Sequence, residues 1–194
     1  NNMQYTPGLQ GKFKHDGCIY HHHGHYFAYG QCGMHGIAPV IYALTGTVFD
    51  ISENAWCNMR SVLLALRFQC NMLDVPIVFS GRHPTGKTRL DIIPFKYFAL
   101  SAFEKNDYEF IPVYLRLMGE PRDKLDNKLM QIGIDKETIK RGNQSFPMAC
   151  AVVHRRNDWL VAVKGFSKYI WGSEIYLENN LYGRYRSYGT VEIH

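Results

Sequence analysis

With 194 residues the chain can bury at least one core, and 46% hydrophobic with 20% charged residues is a globular composition, not that of a disordered or fibrous segment. Its net charge of +5 favours an acidic partner, whether nucleic acid, membrane surface or anionic polysaccharide, but no Lys/Arg run exceeds two residues, so the patch of a dedicated nucleic-acid binder is not visible. Five cysteines, Cys18, Cys32, Cys57, Cys70 and Cys150, are odd in number and lack CxxC spacing, which points to small buried apolar residues rather than a zinc ribbon or disulfide framework, and no apolar run is long enough to span a bilayer.

The first residues, NNMQYTPGLQGKFKHDG, read as an internal loop without initiator Met or signal peptide, and the last run, TVEIH, stops in a strand-like stretch. The sequence is therefore expected to be an excised piece of a longer protein. Next comes HDGCIYHHHGHYFAYG, where His15, His21, His22, His23 and His25 interleave with Tyr20, Tyr26 and Tyr29. Clustered imidazoles suggest a metal, but successive residues of a regular strand face opposite sides, and no carboxylate or Cys is spaced to complete a ligand set. A His21/His23 or His23/His25 pair stays open to adventitious metal. The other chemistry open to these side chains is acid/base work, since His titrates near neutrality and a cation favours a tyrosine phenolate.

From about residue 33 to 140 the pattern is mainly helical. GIAPVIYALTGT predicts a short apolar helix, SENAWCNMRSVLLALRFQCNML a longer one with Ser52 as N-cap, and IPFKYFALSAFEK, IPVYLRLM and KLDNKLMQIG three more. VPIVF between them reads as a buried strand. After Gly142 the character changes: SFPMACAVVHRR, WLVAVKGFS and YIWGSEIYLE are β-rich runs separated by turn material such as RND.

Gly81 to Thr88 spells GxxxxGKT, the pattern of a phosphate-binding loop. Such a loop needs a helix starting at its GKT so that backbone N–H groups face the anion. Pro94 would sit inside that helix, and a later start would leave the loop without its anion-binding end. No later strand-like run ends in a magnesium-binding Asp, and the alternation of strand and helix in a parallel nucleotide-binding sheet is missing. A nucleotide-binding protein is the minor alternative.

Three stretches, KHDGCIYHHHGHYFAYG, GRHP and WGSEIYLENNLYGRYRSYG, together resemble the polysaccharide lyases of family 8 that cleave chondroitin, dermatan and hyaluronan, notably the broad-specificity chondroitin sulfate ABC lyases. That family carries a DG pair, a His and a Tyr seven residues apart, then GRHP, then W-x-SEIY with YGRY downstream, and all occur here in that order. The resemblance implies an α+β fold: the C-terminal part of an α/α toroid (residues 1–142, catalytic segment) followed by the first strands of an antiparallel β-sandwich (143–194). It assigns His22, Tyr29, Arg82 and Glu174 to the catalytic tetrad, with His21 and His23 flanking His22 as alternatives. Tyr26 and Trp171, like Tyr20, are candidates to stack on sugar rings, and Asn180 and Arg184 to meet sulfates or carboxylates. Arg186 shares that chemistry without family support.

The implied reaction is a β-elimination on a uronic acid of chondroitin or dermatan sulfate, or of hyaluronan. Tyr29 serves as base and acid for glucuronate, and His22 as base for iduronate, whose C5 has the opposite configuration. Arg82 favours the phenolate, and Glu174, from the β-domain, orients its neighbours. The resemblance also implies an anionic polysaccharide partner, secreted or periplasmic location, dependence on the rest of a longer chain, and no nucleic acid or membrane partner. No cofactor is required for the chemistry. A divalent cation, Ca²⁺ or Mg²⁺, activates some members, although the sequence holds no Ca²⁺-type oxygen cluster. The remaining alternative is a non-catalytic carbohydrate-binding remnant of such an enzyme.

Overall fold

A computed structural model describes residues 3–82, 89–138, 140–175, 178, 181, 183 and 188–194. The class is α+β, with five α-helices and two antiparallel sheets among the described residues. The chain divides into two compact units, one of residues Asn1–Gly30, Cys57–Leu90 and Ile139–His194, the other of Gln31–Trp56 and Asp91–Thr138.

In the first unit, β1 (Lys12–Phe13), β2 (Ile19–His21) and β3 (Gly24–His25) form a small antiparallel sheet in sequence order. The preceding Asp-Gly pair has a packing reason. Gly17 has φ +80, and a Cβ there would lie 2.2 Å from the Cβ of Ala65, so only glycine lets this turn approach helix α2 (Glu53–Gln69). Asp16 accepts hydrogen bonds from the N–H groups of Cys18 and Met148 at 3.0 and 2.8 Å.

The larger sheet is a meander, β4 (Gly142–Phe146), β5 (Ala151–Arg156), β6 (Trp159–Lys164) and β7 (Thr190–Ile193). Residues alternate between faces as the pleat requires, with Ala151, Val153 and Arg155 of β5 and Leu160, Ala162 and Lys164 of β6 buried. Arg155 is buried because it donates to the carbonyls of Arg67, Phe68 and Cys70, at 3.3, 3.2 and 2.6 Å. A cation thus satisfies the orphan carbonyls at the C-terminal end of α2. Lys164 is buried likewise, with Nζ donating to the Ala149 carbonyl, and burial pulls its ammonium down to about 8.

The second unit is helical: the remainder of α1 (Phe27–Leu44), the start of α2, and α3 (Ile93–Glu104), α4 (Ile111–Met118) and α5 (Lys124–Met130). Trp56 stacks on Phe98 at 3.8 Å, and Phe98 packs edge-on to Phe110 at 4.7 Å. Pro94 and Pro112 occupy the first turns of α3 and α4, where a missing N–H costs nothing. Asp123 caps α5 by accepting from the N–H groups of Leu125 and Asp126.

Most expected elements appear, and Ser52 does cap α2, its Oγ accepting from the Ala55 N–H at 3.3 Å. Four expectations need correction. VPIVF forms a 3₁₀ turn, Ile77–Phe79, with Val78 and Phe79 buried, because Pro76 precedes it and the Glu192 carboxylate accepts the N–H groups of Ile77 and Val78 at 2.9 and 3.1 Å. The helix read from GIAPVIYALTGT begins earlier, at Phe27, where the Gly30 N–H bonds the Tyr26 carbonyl at 3.2 Å. Residues 169–175 of the run YIWGSEIYLE are loop, not strand, since Ser167 Oγ accepts from the N–H groups of Tyr169 and Ile170 and turns the chain. Finally, Cys18 and Cys70 are buried, but Cys32 and Cys57 are exposed on α1 and α2.

The phosphate-loop residues Gly86, Lys87 and Thr88 lie outside the described residues. Residues 89–92 are not helical and α3 starts only at Ile93, so the later start that would deprive the loop of its anion-binding helix end is what occurs. Among the described residues, no helix is long and apolar enough to cross a membrane.

Candidate active site

The three segments of the first unit each deliver part of one cluster: His22 and Tyr29 come from the first, Arg82 from the second and Glu174 from the third. The His pair arises from a tight hairpin. β2 pairs with β3 through His21↔Gly24, leaving His22 and His23 as a two-residue turn with φ +47 and +60. Two left-handed residues match the twist of a two-residue hairpin but are normally Asn or Gly, and His there costs on the order of 1–2 kcal/mol each. The His run is therefore a turn, not a regular strand whose successive residues face opposite sides. His21 and His22 pack ring to ring at 4.0 Å and both approach Tyr29, at 5.4 and 5.8 Å, whereas His23 turns away and stacks on Trp171 at 4.5 Å.

Tyr29 sits in the first turn of α1, one helical turn after Tyr26, and this spacing stacks the two rings at 4.3 Å. Their hydroxyls differ in role. Tyr26 is buried and its Oη donates to Glu174 Oε2 at 2.6 Å. Burial first, and the Glu174 carboxylate second, raise its phenol well above the ordinary tyrosine range, so it stays a proton donor to Glu174. Tyr29 is 41% exposed, and its oxygen accepts from Nη2 of Arg82 at 2.5 Å.

Arg82 is delivered by the 3₁₀ turn that Glu192 caps, followed by Gly81 at φ +61. Its Nη1 lies 3.9 Å from Glu174 Oε1, and the same oxygen lies 3.9 Å from Nδ1 of His22. The carboxylate thus faces a guanidinium, an imidazole and a phenol donor, within a cleft lined by His21, His22, Tyr26, Gly81, Trp171 and Glu174. His21 is lowered below its ordinary value by burial and by its neighbour His22.

His25 belongs to the core. Its Nδ1 accepts from the Ile19 N–H at 3.0 Å, so Nε2 carries the proton towards Gln69 Oε1 at 2.9 Å, and burial lowers it to about 4. Both ring nitrogens of His25 are committed within the core, and the His23 ring lies against Trp171. Among the described residues no group of three or more His, Cys, Asp or Glu side chains is arranged to hold a metal ion.

Of the expected sugar-contacting residues, Tyr20 and Tyr26 are buried and Trp171 is half-exposed with one ring face on His23. Asn180, Arg184 and Arg186 lie outside the described residues. Two further residues support the cluster: Ser173, whose Oγ donates to the Gly81 carbonyl at 3.0 Å, and Glu192, whose carboxylate accepts from the N–H groups of Ile77 and Val78. Ser173 lies inside the WGSEIY stretch and Glu192 in no motif, but the role of each is set by backbone brought near only by folding.

The family model described as "Lyase, catalytic" matches residues 1–124. The chain is 38% identical to the chondroitin sulfate ABC exolyase of Proteus vulgaris over 97% of its length, and 35% identical to that of Bacteroides thetaiotaomicron, also over 97%. It spans about a fifth of the length of these curated relatives, 19% and 21% respectively. Its fold is similar to that of the Paenibacillus xanthan lyase, with TM-score 0.74 at 18% identity, covering 100% of this chain and 21% of that one. On the match of the family model and the identity to these relatives, the chain belongs to the catalytic-domain family of the polysaccharide lyases, family 8.

Proposed function

We propose that the chain carries the reacting groups of a glycosaminoglycan lyase that cleaves chondroitin and dermatan sulfate by β-elimination. The observation that supports this most directly is the convergence of Arg82 on both the Tyr29 hydroxyl and the Glu174 carboxylate. The substrate class follows from the relatives named as chondroitin sulfate lyases, since the likeness to a xanthan lyase extends to the fold alone.

In the reaction a base removes the C5 proton of the uronate, the C4–O bond breaks, the C4=C5 double bond forms and the leaving oxygen takes a proton. No water is consumed. The C5 proton is weakly acidic, so the developing negative charge must be met by fixed donors. Tyr29 is the exposed phenol of the pair, and the Arg82 guanidinium against its oxygen stabilises charge as the proton leaves. On glucuronate, where proton and leaving oxygen share a face, Tyr29 takes one and protonates the other in turn. On iduronate His22 takes the proton from the opposite face and Tyr29 serves the leaving oxygen. Glu174 holds Arg82 and His22 to a common point, and Tyr26 acts on Glu174 and on the Tyr29 ring.

The test uses the full-length protein with chondroitin sulfate and dermatan sulfate, following the ultraviolet absorbance of the unsaturated uronate. Wild type is expected to produce it and Tyr29→Phe to lose it. An inactive wild type, or an unchanged rate in the variant, sinks the reading.

A further inference from the structure

Glu174 ends a short segment, 171–174, that touches both other parts of the cluster. The Trp171 ring stacks on the His23 imidazole at 4.5 Å with planes 23° apart, and the Trp171 N–H donates to the His23 carbonyl at 2.7 Å. Two residues on, Ser173 Oγ donates to the Gly81 carbonyl at 3.0 Å. Each contact falls on the immediate neighbour of a tetrad residue, His23 beside His22 and Gly81 beside Arg82. Both contacted residues have left-handed backbone, at φ +60 and +61. Glycine adopts this conformation freely, but at the non-glycine His23 it persists where surrounding contacts over-determine it. The fit is close, since a Cβ on Gly24 would lie 3.2 Å from the Trp171 carbonyl oxygen.

We propose that residues 171–174 form a latch in which Trp171 and Ser173 are positioning residues, setting the His22 hairpin and the Arg82 turn in register against Glu174. The proposal rests on the lyase reading for its kinetic consequence, but its structural content stands apart from it. Trp171 in this role acts through His22, its inner face being occupied by His23. Ser173 acts through Arg82, whose donor must reach the Tyr29 oxygen.

Trp171→Ala, Trp171→Phe and Ser173→Ala in the full-length protein test this by steady-state kinetics on chondroitin sulfate and by amide hydrogen exchange of peptides spanning residues 19–25 and 78–82. Trp171→Ala and Ser173→Ala are each expected to lower kcat about 10- to 100-fold, the scale of a misplacement near 1 Å, with KM held within about threefold. Trp171→Phe should recover most of that loss, because a ring remains for the imidazole. Both alanine variants should speed exchange in both peptides, including the one the lost side chain never touched. A raised KM with unchanged kcat in Trp171→Ala makes Trp171 a sugar-binding residue and overturns the latch. Exchange confined to the contacted peptide overturns it too. If wild type yields no unsaturated product, the lyase reading fails and the exchange pattern alone decides the latch.

Discussion

Arg82 donates from Nη2 to the hydroxyl oxygen of Tyr29 at 2.5 Å, joining two residues 53 positions apart in the chain. The guanidinium also lies 5.6 Å from the centre of the tyrosine ring, so the phenol is held at its oxygen and at its face. Arg82→Ala should lower kcat by about 10²- to 10³-fold, the cost of losing one fixed donor to developing charge. Arg82→Lys should recover little of it, because an ammonium lacks the fork that reaches Tyr29 and Glu174 together. Initial rates of unsaturated product formation check both.

Tyr26→Phe keeps the ring stacked on Tyr29 but removes the donor to Glu174 Oε2. Loss of this hydrogen bond to a carboxylate is expected to cost about 1–3 kcal/mol of stability, read as a lower urea midpoint at unchanged slope. The activity loss should appear mainly in kcat, since the ring is kept and only the donor to Glu174 is removed.

His21 and His22 both lie beside Tyr29, and Nδ1 of His22 lies 3.9 Å from Glu174 Oε1. His22→Ala is expected to abolish cleavage of iduronate-rich dermatan sulfate while reducing glucuronate cleavage less. Equal losses on the two polymers would refute the two-base division, and the same selective loss in His21→Ala instead would move the role to its neighbour.

Acid should weaken the fold through His25. Its folded value of about 4 lies below the ordinary 6.5, chiefly through burial. Between those values the unfolded chain binds the proton and the folded chain does not, so stability is lost as pH falls through that window. The loss should be on the order of 2–3 kcal/mol. His25→Gln should flatten this part of the profile in urea titrations run from pH 7 to pH 4.

Gly17→Ala should destabilise the protein by about 2–4 kcal/mol, because the added methyl meets Ala65 at 2.2 Å while φ stays at +80. Thermal unfolding of the two proteins side by side gives the value.

Helices α2 to α5 were legible because their evidence is local: Ser52 before α2, prolines in the first turns of α3 and α4, and apolar periodicity within each. VPIVF misled because β-branched apolar composition marks burial as well as strand, and Glu192, 115 residues from Ile77, decides which it becomes. The His run misled for a related reason: its turn places imidazoles at left-handed positions that residue type disfavours, and strand pairing on either side imposes them. WGSEIY reads as strand by composition, yet Ser167 and the bond from Trp171 to His23 hold residues 169–175 as a loop.

By itself the sequence determined the α+β class, the change of character at Gly142 and, through motifs in a given order, the lyase family. Those features depend on residue type and spacing along the chain. The tertiary structure decided which tyrosine is the bound donor and which is the exposed acceptor, which histidines face Tyr29, and that Glu192 and Ser173 hold the turn carrying Arg82. Tyr26 and Tyr29 are chemically identical, and only burial against Glu174 on one side and contact with Arg82 on the other makes them different.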